Sequence, residues 1–161
     1  MVANSGGGRG IVAGVGYAIA LTSALTLTLG GFGCDKPPPD PAQVSALHFT
    51  TSTSLPSNPP PAVDVTVADA ATARAAYERT LALPEFPPGT YNCPFDFGVR
   101  YRLDFMSGPS LAVTVTANPN GCGEVQIPGT NTRRALPSDY WAALAQTLGI
   151  DESMIYPYPA R

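Results

Sequence analysis

The side chains between residues 97 and 115 alternate between apolar and polar, and this alternation limits the fold more than any other feature of the sequence. The apolar positions of the first half are Phe97, Val99, Tyr101, Leu103 and Phe105. A turn at residues 107–110 separates them from Leu111, Val113 and Val115. Because successive side chains of a strand point to opposite faces, the pattern predicts an antiparallel hairpin with one apolar face and one polar face.

Three further segments have the residues of strands. Residues 63–67 alternate valine with polar residues, and residues 122–127 follow a turn at residues 118–121. Residues 44–53 are rich in β-branched and apolar side chains, which predicts an early strand that joins the edge of the domain. Together with the hairpin, these segments predict an antiparallel sheet of four to five strands.

Two segments have the apolar spacing of amphipathic helices. The first is capped by Asp69 and must end by Pro84. The second is opened by Ser138 or Asp139 and closed by Gly149. Each helix and the sheet have one apolar side to cover, so the sequence predicts an α+β fold with both helices packed on one face of the sheet.

The N-terminal segment is typical of an export signal. Arg9 is its only charged side chain, and residues 11–29 are uncharged. This stretch is close in length to the ~20 residues that span a bilayer, so a retained membrane helix is the alternative. The glycines, serine and threonines within the stretch favour a signal peptide over residues 1–33 that is cleaved.

A small residue followed by cysteine, Gly33-Cys34, comes directly after this segment. The arrangement resembles a bacterial lipoprotein signal, with Gly31 at the position where such signals usually carry leucine. The resemblance implies that Cys34 carries a thioether-linked diacylglycerol, which would hold the protein at the extracellular face of the cell membrane. The alternative is an ordinary signal peptidase, which also accepts small residues before its cut and would leave a secreted product.

Proline dominates the segment that follows Cys34. Residues 35–61 contain eight of the eighteen prolines of the chain, with serine and threonine between them. Since proline fixes φ and has no amide donor, we expect residues 34–61 to form an extended stalk and residues 62–161 to form the domain.

The cysteine count is compatible with an acylated Cys34. Cys93 and Cys122 then remain as a pair, and an oxidising compartment favours a disulfide between them. Closing a loop of about 30 residues would stabilise the domain by about 3.6 kcal/mol in the chain-entropy treatment. The alternative is a metal site, but only His48 is available besides these two cysteines, which does not complete a tetrahedral site.

Several short motifs occur along residues 65–150. They are Val65-Thr66-Val67, Asp69, Leu81-Ala82-Leu83-Pro84, Gly89-Thr90-Tyr91-Asn92-Cys93-Pro94, Asp96-Phe97-Gly98-Val99-Arg100-Tyr101, Gly121-Cys122 and residues 141–150. Together they resemble a group of short secreted or lipid-anchored actinobacterial proteins without an assigned activity. The resemblance implies export and a bridge between Cys93 and Cys122, and it transfers no catalytic residue.

Composition and residue types argue against several functions. The formal net charge of −3 gives no electrostatic support for nucleic-acid binding. His48 is the only histidine, and no catalytic residue, metal or cofactor is predicted. Carboxylate pairs such as Asp96 with Asp104, or Asp104 with Glu124, would suit glycosidase chemistry. Charges that balance the nearby arginines are the favoured interpretation of these residues.

The polar face of the predicted hairpin is the candidate binding surface. It carries Arg100, Arg102, Thr114, Thr116, Glu124 and Gln126. If this face is not covered, its two arginines would suit an anionic ligand or an acidic protein patch, and Arg133 and Arg134 would add to it. A solvated sheet face is the favoured interpretation of these residues.

These observations favour an exported, lipid-anchored small domain that is not an enzyme and that binds an envelope component or an extracellular protein. A secreted inhibitor is the alternative, with residues 84–91 beside Cys93 as its exposed loop. A small hydrolase is a further alternative.

Overall fold

The structure of the protein is a computed structural model. It describes residues 36–54, 62–93, 96, 98–130 and 132–155. All of them belong to the second of the two units of the chain, Gly33–Arg161. The predicted signal peptide at residues 1–33, the predicted lipid-attachment residue Cys34, and Phe97 lie outside the described residues.

The described residues form the predicted α+β fold, with one antiparallel sheet of six strands. Along the chain the strands are β1 (Ala46–Thr53), β2 (Asp64–Val67), β3 (Val99–Ser107), β4 (Ser110–Asn118), β5 (Glu124–Gln126) and β6 (Arg134–Ala135). Their order in the sheet is β2-β1-β3-β4-β5-β6. The expected number of four to five strands is too low, because β6 has only two residues and offers no alternation to recognise.

β1 is an interior strand rather than the edge strand that the sequence predicted. Its Phe49 lies opposite Val65 of β2 on one side and opposite Leu103 of β3 on the other. Leu47 and Phe49 are fully buried, so the apolar side chains of this strand form part of the core. The sheet therefore begins well before residue 62, where the domain boundary was predicted. Residues 55–61 of the predicted stalk lie outside the described residues.

Two helices cover one face of the sheet, as predicted. α1 (Ala70–Leu81) begins after Asp69, whose carboxylate accepts a hydrogen bond from a first-turn amide at 2.8 Å. α2 (Ser138–Leu148) ends at Gly149 in the left-handed conformation. Its N-cap is Pro137 rather than the predicted Ser138 or Asp139, and no side chain caps it. Among the described residues, no helix combines the length and the apolar composition that a membrane span requires.

Tyr101 of β3 lies at the centre of the core between the sheet and the helices, and its side chain is fully buried. Its ring centroid is 5.5 Å from that of Phe49 on β1 and 5.2 Å from that of Trp141 on α2. Its hydroxyl donates to the carbonyl of Ile155, which follows a short 3-10 helix at Glu152–Met154. Two strands, a helix and the C-terminal segment therefore meet at one side chain.

Leu111 was predicted on the apolar face of the hairpin, and this prediction is wrong because the residue is 52% exposed. The register shifts between Phe105 and Met106, so Phe105 lies opposite Val113 and Met106 lies opposite Leu111. This irregularity interrupts the alternation of buried and exposed side chains along β4. The alternating sequence pattern alone does not predict such a shift in register.

Lys36, the first described residue, lies close to Gly129. This glycine has a φ of +79°, and a Cβ atom at this position would overlap the carbonyl oxygen of Lys36. Pro38 and Pro39 are half-buried. The first described residues of the predicted stalk therefore pack against the domain.

We expect Gly129→Ala to destabilise the domain more than Gly108→Ala. Both glycines have a positive φ, so each substitution carries a backbone strain of about 1–2 kcal/mol. The Cβ position at Gly108 has no neighbour within 4 Å, whereas the Lys36 carbonyl must move at Gly129. Urea unfolding should show a further loss of roughly 1–3 kcal/mol for Gly129→Ala. Equal losses would contradict the close packing of Lys36.

Candidate functional site

The residues of the predicted binding surface lie on the outer face of the sheet, which points away from α1 and α2. Arg102 of β3 lies opposite Thr116 of β4, and Thr116 lies opposite Gln126 of β5. The other members of the set occupy positions on the same face of these strands: Arg100, Thr114 and Glu124. The structure thus places the predicted residues on one polar surface of three strands.

Both arginines of the outer face are bound to carboxylates. Arg100 donates from Nη1 and Nη2 to the two oxygens of Asp96, at 3.0 and 2.7 Å. Arg102 donates from Nε to Oδ2 of Asp104 at 2.7 Å. The outer face therefore carries compensated charges rather than a free cationic platform.

The same contacts determine the charge of the two aspartates. Hydrogen bonds from Arg100 lower the pKa of Asp96 to about 2, against the opposing effect of burial. Burial alone would raise the pKa of Asp104, but hydrogen bonds from Arg102 and Thr114 outweigh it, so this pKa lies below its usual value. A glycosidase pair needs one carboxyl whose pKa is raised. Asp96 and Asp104 therefore suit the role of fixed anions better than that of a general acid.

The histidine and the two described cysteines also have partners within the domain. Nε2 of His48 lies 2.8 Å from Oδ1 of Asp64, which is exposed. Cys93 and Cys122 form the predicted disulfide, with their Cα atoms 4.8 Å apart. Among the described residues, no group of three or more His, Cys, Asp and Glu side chains is placed to hold a metal ion. In that part of the chain, the histidine is paired with a carboxylate and not with a nucleophile.

A groove of about 550 Å³ lies where the end of α1 meets the start of α2, lined by Arg79, Leu83 and Tyr140 among others. The hydroxyl of Tyr140 lies 2.9 Å from that of Thr80. Burial raises the pKa of Tyr140 to about 12. This phenol is therefore a neutral, structural hydrogen-bonding group.

Residues 84–91 form a loop that is fixed at both ends. At its start, backbone hydrogen bonds join it to β6 and to the residue before β6, and in one of them the Phe86 amide donates to the Arg133 carbonyl at 2.7 Å. Just beyond its end, Cys93 is held by the disulfide to Cys122. The sheet edge and the disulfide therefore limit the movement of this loop.

Three side chains form a patch here, called the loop patch: the exposed Tyr91 and Arg133 and the half-buried Phe86. The rings of Phe86 and Tyr91 meet edge to face, with centroids 5.1 Å apart. The guanidinium carbon of Arg133 lies 5.5 Å from the Phe86 centroid, and its Nη1 donates to Glu124 at 2.7 Å. The Tyr91 hydroxyl donates to the Pro87 carbonyl at 2.8 Å, while the residue stays 42% exposed. An aromatic ring and an arginine are thus presented on a fixed backbone.

The loop patch was not anticipated as a unit from the sequence. The sequence indicates residues 84–91 only as an inhibitor loop, and it groups Arg133 with the outer face. The two segments are far apart along the chain and meet through β6, which has no pattern of its own. The prolines and aromatic residues directly before Cys93 were the available signal.

Comparisons of the chain with models of known protein families, with curated proteins and with solved structures find no significant match. The contacts of this chain's own residues therefore carry its functional interpretation.

We expect the domain to lose stability as the pH falls from about 4 to about 2, and Asp96→Asn to remove part of this loss. Hydrogen bonds from Arg100 hold the pKa of Asp96 at about 2 in the folded protein, below its ordinary value of 3.8. Its carboxylate therefore stabilises the fold above the unfolded pKa, and this contribution disappears as the pH falls through the folded pKa.

Urea unfolding midpoints measured across this pH range test the expectation. Arg100→Gln is the matched variant, because it removes the cation that lowers the pKa of Asp96. It should flatten the pH dependence in the same way as Asp96→Asn. The same dependence in the wild type and in both variants would exclude this ion pair as its source.

Proposed function

We propose that this chain is an exported, lipid-anchored domain at the extracellular face of a bacterial cell membrane, and that it binds a protein partner rather than catalysing a reaction. The lipid would be attached to Cys34, and the loop patch would contact the partner. The observation that carries the proposal is the exposure of Tyr91 near a disulfide and a sheet edge that hold its loop in place.

The loop patch has the composition of residues that contribute most to protein interfaces. Tyrosine and arginine are enriched among binding hot spots, and aromatic residues are enriched in interface cores. The ring of Tyr91 already packs on Phe86, and its hydroxyl is bound to the Pro87 carbonyl. Because these contacts exist before binding, association would cost less conformational entropy than it would with a flexible loop.

The contacts of Arg133 indicate the chemistry of the partner. Its side chain is 64% exposed although Nη1 donates to Glu124. A guanidinium has several further donors, so a carboxylate or a backbone carbonyl of a partner can bind beside it. We expect a protein with an apolar pocket for the Tyr91 ring and an acceptor for Arg133 at the rim of that pocket.

The disulfide supports a location outside the reducing cytoplasm. Bonds such as the one between Cys93 and Cys122 persist in oxidising compartments. A domain on the outer side of the membrane meets envelope and extracellular proteins, so the partner is sought among these.

A secreted protease inhibitor is the second candidate, and the same loop favours it. Most of residues 84–91 are exposed, and the loop is constrained at both ends. A constrained, exposed loop can occupy a protease cleft with little loss of entropy. A small hydrolase has less support, because His48 pairs with the exposed Asp64.

Photo-crosslinking from position 91 tests the proposed contact. In the full chain, expressed in its own host, Tyr91 is replaced by a photoreactive phenylalanine analogue. Gln126, which is exposed on the outer face, is the matched control position. We expect a discrete protein adduct from position 91 and none from position 126, and the adduct should disappear when Arg133→Gln is added. No adduct from position 91, or equal adducts from both positions, would refute the contact.

The adduct also identifies the partner for an affinity measurement. Tyr91→Ala should weaken binding by roughly 30-fold or more, which corresponds to about 2 kcal/mol, because an exposed aromatic anchor is lost. Gln126→Ala should change it little. If the adduct contains a protease that the purified domain inhibits stoichiometrically, the second candidate replaces the first.

A further inference from the structure

Besides Tyr91, Leu111 is the other large apolar residue that is exposed in the described part of the chain. It is 52% exposed, and it lies at the start of β4 opposite Met106. Single exposed leucines are common on protein surfaces. The surroundings of Leu111 therefore decide whether its exposure has a function.

The first described residues of the chain lie beside Leu111. A depression of about 260 Å³ is lined by residues 36–39, by the first residues of β4 and by Pro128. The next residue, Gly129, lies against the Lys36 carbonyl, so the chain is closely packed at this point. We call residues 36–39, Leu111 and Pro128 the entry surface.

The proposed lipid lies two residues before the entry surface. Only Asp35 separates Cys34 from Lys36. Since consecutive Cα atoms are about 3.8 Å apart, the Cα atoms of Cys34 and Lys36 can be at most about 7.6 Å apart in any conformation. An acyl anchor on Cys34 would therefore keep the entry surface close to the headgroups of the bilayer.

We infer that the entry surface rests on the lipid bilayer and that the Leu111 side chain enters the interfacial region. This inference rests on the proposed anchoring at Cys34. A single leucine is a weak membrane contact for a free protein. An anchored domain is different, because the tether raises the effective concentration of the contact and lets a weak interaction be populated.

The charges at the entry surface favour an apolar contact over an electrostatic one. Lys36 is the cation of this surface, and Asp35 and Asp40 flank it along the chain. Anionic headgroups attract clusters of basic residues, and this segment has no such cluster. The contact should therefore form on zwitterionic lipid.

The inferred contact also orients the domain. Leu111 lies near the start of β4, and Cys122 follows the far end of that strand. Nine residues of strand separate the two ends by about 27 Å. The disulfide beside the proposed partner-binding loop would thus point away from the bilayer.

The test uses the full chain, extracted from the membrane of its own host and reconstituted in zwitterionic vesicles whose acyl chains carry bromine. Leu111→Trp places a fluorophore on the entry surface. Thr116→Trp is the matched control, because this position is also exposed and lies further along the same strand. The native Trp141 is buried and contributes the same background to both variants. We expect the bromine to quench roughly half of the added emission at position 111 and almost none at position 116.

Flotation of the vesicles separates the two ways in which the idea can fail. Protein that does not float with the vesicles would overturn both the anchoring at Cys34 and the inferred contact. Protein that floats but is quenched equally at positions 111 and 116, or more strongly at 116, would leave the anchoring intact and overturn the inferred contact alone.

Discussion

The buried hydroxyl of Tyr101 is the constraint on which the rest of the domain depends. A phenol can lie at the centre of a core when its hydroxyl has a hydrogen-bond partner, and here the Ile155 carbonyl accepts it. Residues 149–155 must therefore return to the sheet after α2. The same ring packs on Phe49 and Trp141, so β1, β3 and α2 are held together at this position.

One face of the sheet is committed to this core. The surfaces that the described residues expose elsewhere include the outer face, the edge at β6 and the end of the β3–β4 hairpin. The arginines of the outer face form ion pairs with neighbouring carboxylates, as Arg100 does with Asp96. The loop patch lies beside β6 and exposes Tyr91, whereas the entry surface lies at the hairpin end and exposes Leu111. We propose that the domain contacts a protein through the loop patch and the bilayer through the entry surface. Because these surfaces are separate, both contacts could exist together.

Local pattern was enough to predict the helices and the long hairpin. Asp69 and Gly149 mark helix ends because capping depends on residues that are close in sequence. Features that depend on pairing between distant segments were missed. The exposure of Leu111 follows from a register shift between two strands, and the contact of Arg133 with Phe86 follows from a two-residue strand. By contrast, the balancing of Arg100 and Arg102 by nearby carboxylates was the favoured prediction. It is confirmed by their pairs with Asp96 and Asp104, which lie close to them in sequence.

The intact mass of the protein extracted from the membrane of its own host, measured with and without reduction, tests most directly whether this chain is an anchored, disulfide-closed domain. The predicted result is a chain that begins at Cys34, carries a diacylglyceryl group and gains two hydrogen atoms on reduction of the disulfide between Cys93 and Cys122. An unmodified soluble product, or a mass that reduction leaves unchanged, would contradict the account.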